Sequence, residues 1–167
     1  LPLSYDRYHT PQEGIAAFQA MAAQHPDIAR LVSIGQSVEG RDLWALRLSD
    51  HAAALEEPRE QKIFFCALHH AREWATHEAV LFLAEYLVSH YETDPRVKNI
   101  IDHSVVWILL CENPDGFQYS WDVERFWRKN RRLNRDGSYG VDLNRNYAYR
   151  WGYDHEGSSA EPRSETF

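Results

Sequence analysis

Ile63-Phe64-Phe65-Cys66-Ala67-Leu68 is the stretch on which the fold turns. It is a short, wholly apolar run, and such runs suit strands covered on both faces. Downstream, from Arg72 to Tyr91, the period changes. Val80, Leu83, Ala84, Leu87 and Val88 recur at i, i+3, i+4 spacing and give one apolar helical stripe. A shorter helix is expected over Pro95–Asp102, and Val105-Val106-Trp107-Ile108-Leu109-Leu110 repeats the buried-strand pattern. Strand, helix, strand with both strands apolar is the mark of a βαβ unit, hence of parallel pairing in an α/β domain. Ligands of open α/β sheets lie beyond the carboxyl ends of the strands. Those ends are His69-His70-Ala71-Arg72-Glu73 and Glu112-Asn113-Pro114-Asp115-Gly116.

Upstream, residues 11–25 form a helix opened by Thr10-Pro11, with Glu13 in its first turn and Pro26 closing it. Ala29–Ser37 and Asp42–Ser49 read as two strands of a hairpin around Val38-Glu39-Gly40-Arg41. In the second, Trp44, Leu46 and Leu48 alternate with Ala45 and Arg47, which suits a half-buried antiparallel strand. Ala52–Gln61 is polar, contains Pro58 and is expected on the surface. After Gly116 regular patterning fades, so residues 117–167 read as a long loop segment of the kind that is usually functional.

The length of 167 residues fits one domain. A formal charge of -7 argues against general affinity for nucleic acid or anionic membranes. No apolar run approaches the roughly 20 residues a membrane span needs. The start at Leu1-Pro2-Leu3 lacks a signal-peptide pattern, which fits an intracellular protein or a processed or excised form. Two cysteines, Cys66 and Cys111, are too few for a disulfide framework; both end apolar runs and read as buried thiols.

Three constellations carry chemistry. His70 and Glu73, three residues apart at a strand–helix junction, can converge on one point, and zinc accepts imidazole nitrogen and carboxylate oxygen. The plainer reading is a helix start with Glu73 favoured by the dipole. His69 and His77, each four residues from Glu73, compete as ligands, but Leu81 stands where an H-E-x-x-H motif needs its second histidine. The second constellation is the basic run Arg125-Phe126-Trp127-Arg128-Lys129-Asn130-Arg131-Arg132 with Arg135. It reads as a solvated loop, a nucleic-acid contact, or an anion and carbonyl clamp. The third is Gly140-Val141-Asp142-Leu143-Asn144-Arg145-Asn146-Tyr147. There Asn144 and Arg145 offer directed donors for a carboxylate, and Asp142 can accept a proton from a ligand imidazole; otherwise the segment is a turn.

In order, these segments resemble the zinc metallocarboxypeptidases of the carboxypeptidase A and B type. The resemblance rests on Tyr8-His9-Thr10, Ser37-Val38-Glu39-Gly40-Arg41, His70-Ala71-Arg72-Glu73-Trp74, Asn113-Pro114-Asp115-Gly116-Phe117, Trp127-Arg128-Lys129-Asn130-Arg131, Gly140 to Asn146 and Ser164-Glu165-Thr166-Phe167. It implies an α/β fold with a mixed, mostly parallel sheet flanked by helices. It implies Zn2+ held by His70 and Glu73, with Asp142 as partner of the ligand histidine. Arg128 is then the arginine that polarises the scissile carbonyl, Asn144 and Arg145 grip the substrate's C-terminal carboxylate, and Arg72 belongs to subsites further along the peptide. The reaction implied is release of the C-terminal residue from peptides and proteins, and the resemblance favours a secreted or extracellular setting.

The family's third zinc ligand, a histidine, lies downstream of the S-E-T segment, with a general-base glutamate and a substrate tyrosine further on. None of His9, His25, His51, His90, His103 or His155 matches that histidine. Residues 1–167 are therefore expected to be the N-terminal portion of one peptidase domain, inactive alone and completed by the remaining C-terminal half. The rival readings are a non-catalytic peptide-binding or scaffold module of the same fold, and nucleic-acid binding through residues 125–135.

Overall fold

The cap expected from Thr10-Pro11 and Glu13 is formed in the computed structural model, which describes residues 3–53, 61–153 and 156–167. Thr10 Oγ1 accepts from the Glu13 amide at 3.2 Å, and the Glu13 carboxylate accepts from the Thr10 amide at 2.8 Å. Two otherwise orphaned donors are thereby satisfied at the start of α1, Pro11–Gln24. The chain continues through β1 (Ala29–Gln36), β2 (Asp42–Leu48), β3 (Gln61–Cys66), α2 (Trp74–His90), α3 (Pro95–His103), β4 (Ser104–Leu109) and α4 (Pro114–Asp122). A 3-10 turn spans Leu143–Arg145. Of the polar connection expected at Ala52–Gln61, residues 54–60 lie outside the described residues. Among the described residues no helix is long and apolar enough to cross a membrane.

The four strands form a mixed sheet in the order β1-β2-β4-β3. β3 and β4 pair in parallel from Gln61 opposite Ser104 to Cys66 opposite Leu109, as the βαβ reading requires. The β1–β2 and β2–β4 pairings are antiparallel, so among these strands parallel pairing is confined to one of three junctions. The hairpin causes this: the short connection Ser37–Arg41 can only return the chain antiparallel, and β2 then docks its free edge on β4.

Burial differs from the expectation at two strands. β2 is partly buried over Asp42–Trp44 but buried on both faces over Ala45–Leu48: Ala45, Leu46 and Leu48 are fully buried, and so is Arg47, whose Nη1 donates to His51 O at 3.0 Å. β3, expected to be covered on both faces, is an edge strand among the described residues. Phe64 and Phe65 point to opposite faces and stay 57 % and 41 % exposed. β4 does meet the expectation of a strand buried on both faces. The core joins Phe18 of α1, Leu81 and Ala84 of α2, and Ile101 of α3 to Leu46 and Ile108 of the sheet. Each such large side chain contributes about 1.5–3 kcal/mol on burial.

α4 is an element the long-loop reading of residues 117–167 did not anticipate. The Asn113 side chain accepts from the Gly116 amide at 3.0 Å, Pro114 fills the first turn and Asp115 lies beside the positive end of the helix. Asp115, 2 % exposed, takes hydrogen bonds from Ser37 Oγ at 2.7 Å, the Glu39 amide at 3.1 Å and Arg41 Nη1 at 2.7 Å. The Ser37–Arg41 turn is thereby tied to the start of α4. Asn113 Nδ2 reaches Lys129 O at 3.1 Å and His69 O at 3.3 Å, fastening both strand-end loops to one cap.

His77, on the buried face of α2, is packed rather than ligating. It is 1 % exposed, with Nδ1 3.4 Å from Leu110 O and its ring 4.9 Å from that of Phe117. Gly14 is required opposite it, since a Cβ there would fall 2.4 Å from His77 Nε2. Burial pushes the imidazole down to about 4. The unfolded chain therefore binds the proton first as pH falls, and stability present above about 6.5 is lost towards pH 4. The loss should amount to roughly 3 kcal/mol across that window, one pKa unit being worth about 1.4 kcal/mol. His77→Leu should remove this contribution. Denaturant unfolding of both proteins across the window checks it, and equal slopes in the two would count against the assignment.

Candidate active site

The loop after β3, the basic segment at Arg128 and the segment after Gly140 meet on Asp142, whose side chain is wholly buried. Its Oδ1 lies 3.0 Å from His70 Nε2 and accepts from the Asn144 amide at 3.0 Å. Its Oδ2 accepts from Arg128 Nε at 3.0 Å and Nη2 at 2.8 Å. Asp142 caps the short turn carrying Asn144 and Arg145, so one carboxylate fixes the position of that turn, the imidazole and the guanidinium together.

His70 Nδ1 lies 2.9 Å from Glu73 Oε1. A neutral imidazole carries one N–H. Donated to the buried Asp142, that proton leaves the Nδ1 lone pair facing the Glu73 carboxylate, and a cation between the two resolves the repulsion. Imidazole nitrogen and carboxylate oxygen are donors Zn2+ takes at about 2.0–2.2 Å. His70 is 5 % exposed while the Glu73 side chain is 48 % exposed, so the pair opens outward. Among the described residues no third His, Cys, Asp or Glu completes a three-donor group around it. His155 lies outside the described residues.

The remaining candidates fall nearby but not all in one cavity. Arg72 Nη1 reaches Phe126 O and Glu165, both at 3.2 Å. Arg145 donates from Nε to Gly157 O at 2.9 Å and from Nη1 to Asn144 O at 2.8 Å. Asn144 and Arg145 line a polar cleft of about 190 Å³ with Tyr149, Trp151 and Gly157. His70 and Arg128 do not line that cleft; Asp142 connects the two places. His69, the competing ligand, turns instead to Glu112 and Tyr147.

The basic run is not a free cationic patch. Lys129 is 3 % exposed and donates to Pro162 O and Ser164 O, both at 2.8 Å. Arg125 stacks on Trp74 at 3.6 Å, and Arg131 sits over Tyr119 at 3.8 Å and Tyr139 at 4.5 Å. Their structural duties could have been suspected from the interleaved aromatics. Nothing in the sequence signals that Lys129 is buried.

Residues 15–167 match the protein family described as zinc carboxypeptidase. The chain belongs to that family. It is 40 % identical over 153 residues to a zinc carboxypeptidase of Saccharothrix mutabilis subsp. capreolus, covering 90 % of this chain and 35 % of the relative. It is 32 % identical over 169 residues to the inactive metallocarboxypeptidase ecm14 of Talaromyces marneffei, covering 99 % of this chain and 28 % of the relative. Among solved structures, carboxypeptidase A from Helicoverpa armigera superposes with a TM-score of 0.85 at 33 % identity, over 99 % of this chain and 39 % of that one. The chain thus spans about a third of the length of the relatives it matches. The family is one of metallocarboxypeptidases with zinc as its metal, and it includes a relative named inactive.

Proposed function

We propose that this chain carries the N-terminal part of a metallocarboxypeptidase site that hydrolyses the C-terminal peptide bond of peptides and proteins. The observation that supports this reading is the convergence on Asp142 of His70, with Glu73 on its other ring nitrogen, and Arg128. His70 and Glu73 would hold Zn2+, which when bound supplies a Lewis acid and a water of lowered pKa. Asp142 keeps the His70 proton on Nε2 and so turns the Nδ1 lone pair towards the ion. Arg128, anchored through Nε and Nη2, presents the rest of its guanidinium to a developing oxyanion. Asn144 and Arg145 take the substrate's terminal carboxylate, which restricts cleavage to the last residue, and Arg72 contacts residues further along the peptide.

The third metal donor and the general base would come from sequence beyond these residues. The coverage of the relatives supports this, as does the open β3 edge with its two exposed phenylalanines, a surface that calls for a covering strand.

The test uses the full-length protein and peptides with free or amidated C-termini. Chelation should abolish release of the terminal residue and zinc should restore it. Arg145→Ala should reduce the preference for free over amidated ends on the order of 10–100-fold, the worth of a hydrogen bond to a charged group. Peptide binding without turnover would favour the non-catalytic module, a reading the inactive Talaromyces relative keeps in view. Turnover with unchanged discrimination would overturn the role of Arg145.

A further inference from the structure

A second group of donors lies at the same strand ends and shares no ligand residue with the His70–Glu73 pair. Cys66 closes β3, His69 follows it by three residues, and Glu112 stands three residues past β4. In-register pairing of Cys66 with Leu109 brings the two chain segments side by side. One ligand atom from each of Cys66, His69 and Glu112 lies within 4.8 Å of the other two, and all three residues are half-buried. His69 Nε2 is 2.8 Å from Glu112 Oε2 and 2.6 Å from the Tyr147 hydroxyl, which also donates to Glu112 Oε1 at 3.3 Å.

We propose that Cys66, His69 and Glu112 form a second cation site, suited to Zn2+ and similar borderline-soft ions, with the Tyr147 hydroxyl at its rim. The competing explanation is a plain hydrogen-bonded cluster of His69, Glu112 and Tyr147 that the Cys66 thiol joins through Glu112, and the donor types favour the cation site over it. A thiol adds little to such a cluster, whereas thiolate, imidazole and carboxylate together are a donor set zinc accepts. Mg2+ and Ca2+, which take oxygen ligands, have little use for two of the three. Burial and the nearby Glu112 carboxylate push the Cys66 thiol up to about 11. The thiol therefore meets the ion protonated, and as the metal–sulfur bond forms its S–H proton passes to solvent.

The position gives the site a consequence. Tyr147 lies two residues beyond Arg145, on the segment that leaves the Asp142-capped turn. An ion held by Cys66, His69 and Glu112 would order the ends of β3 and β4 and, through Tyr147, the segment that presents Asn144 and Arg145. The inference does not depend on peptidase activity.

Cobalt supplies the test, because thiolate-to-Co2+ charge transfer absorbs in the near ultraviolet and the His70–Glu73 pair contains no thiol. Titrating Co2+ into the full-length protein should raise this band to saturation. Zn2+ should then remove it, and Mg2+ in excess should not. Cys66→Ser should abolish the band, and Glu112→Gln and His69→Gln should each weaken cobalt binding by more than the roughly 10–100-fold that loss of a partner hydrogen-bonded to a ligand costs. If Cys66→Ser does not fold, the other two substitutions carry the test by their shifted midpoints. His70→Ala should leave the band intact while removing turnover, so failure here and failure of the peptidase reading are distinguishable. No band, a band surviving Cys66→Ser, or midpoints unmoved by both other substitutions would overturn the proposal.

Discussion

Asp142→Ala is expected to destabilise the folded chain by roughly 3–5 kcal/mol, the cost of removing one partner from a buried ion pair. The Arg128 side chain is only 11 % exposed and commits Nε and Nη2 to the carboxylate, so the substitution leaves a desolvated guanidinium without its counter-charge. His70 loses the acceptor on Nε2 at the same time, and the Asn144 amide loses its cap. These losses are coupled and will not sum as independent terms. Asp142→Asn keeps the shape and some of the hydrogen bonds but not the charge, and should fall between wild type and alanine. Denaturant unfolding of metal-free protein measures this directly. A loss under about 1 kcal/mol, the size of an exposed pair, would show that Asp142 does not anchor Arg128 in solution.

Much of the fold was legible because the signals are local. The Thr10–Glu13 cap, the period of α2 and the two apolar strands each declare themselves within one element, and the structure returns them nearly at the expected bounds. What was not legible depends on neighbours. Arg47 reads as the outward member of an alternating strand, yet it is buried in the central strand β2 with its Nη1 on His51 O, a contact formed only in the folded chain. β3 has the composition of a central strand and is an edge among the described residues. α4 was missed because Asp115, Gly116 and Ser120 make its buried face mostly polar or small, with Phe117 the one large apolar residue on it, although Asn113-Pro114-Asp115 is a complete helix-start signal.

The candidate site divides in the same way. Convergence of His70 and Glu73 follows from three-residue spacing across a strand–helix junction, and the first helical turn delivers it. The Arg128–Asp142 pair spans fourteen residues with no periodic structure between, and only the folded loop supplies that contact. Glu112 approaches Cys66 and His69 through the order of the strands alone. Spacing thus shows pairs within an element; strand order shows pairs between elements.

If the full-length protein is the proposed peptidase, Arg128→Ala should lower kcat on the order of 10²–10³-fold with little change in KM, as loss of one preorganised oxyanion donor does. The expectation rests on where the guanidinium is held. Asp142 fixes its Nε and Nη2 edge, and the same Asp142 fixes the imidazole beside Glu73, so the donor and the proposed metal pair share one rigid support. A donor placed in advance costs no reorganisation as charge develops on the carbonyl oxygen, and its contribution belongs to the transition state rather than to substrate binding. Lysine at 128 would restore charge but not the two-bond grip on Asp142, and should recover only part of the rate. The comparison with Arg145→Ala separates the two arginines, because a carboxylate clamp acts on ground state and transition state alike and should raise KM. Should Arg128→Ala instead raise KM with kcat intact, the guanidinium would be binding substrate, and the oxyanion role would have to be given up.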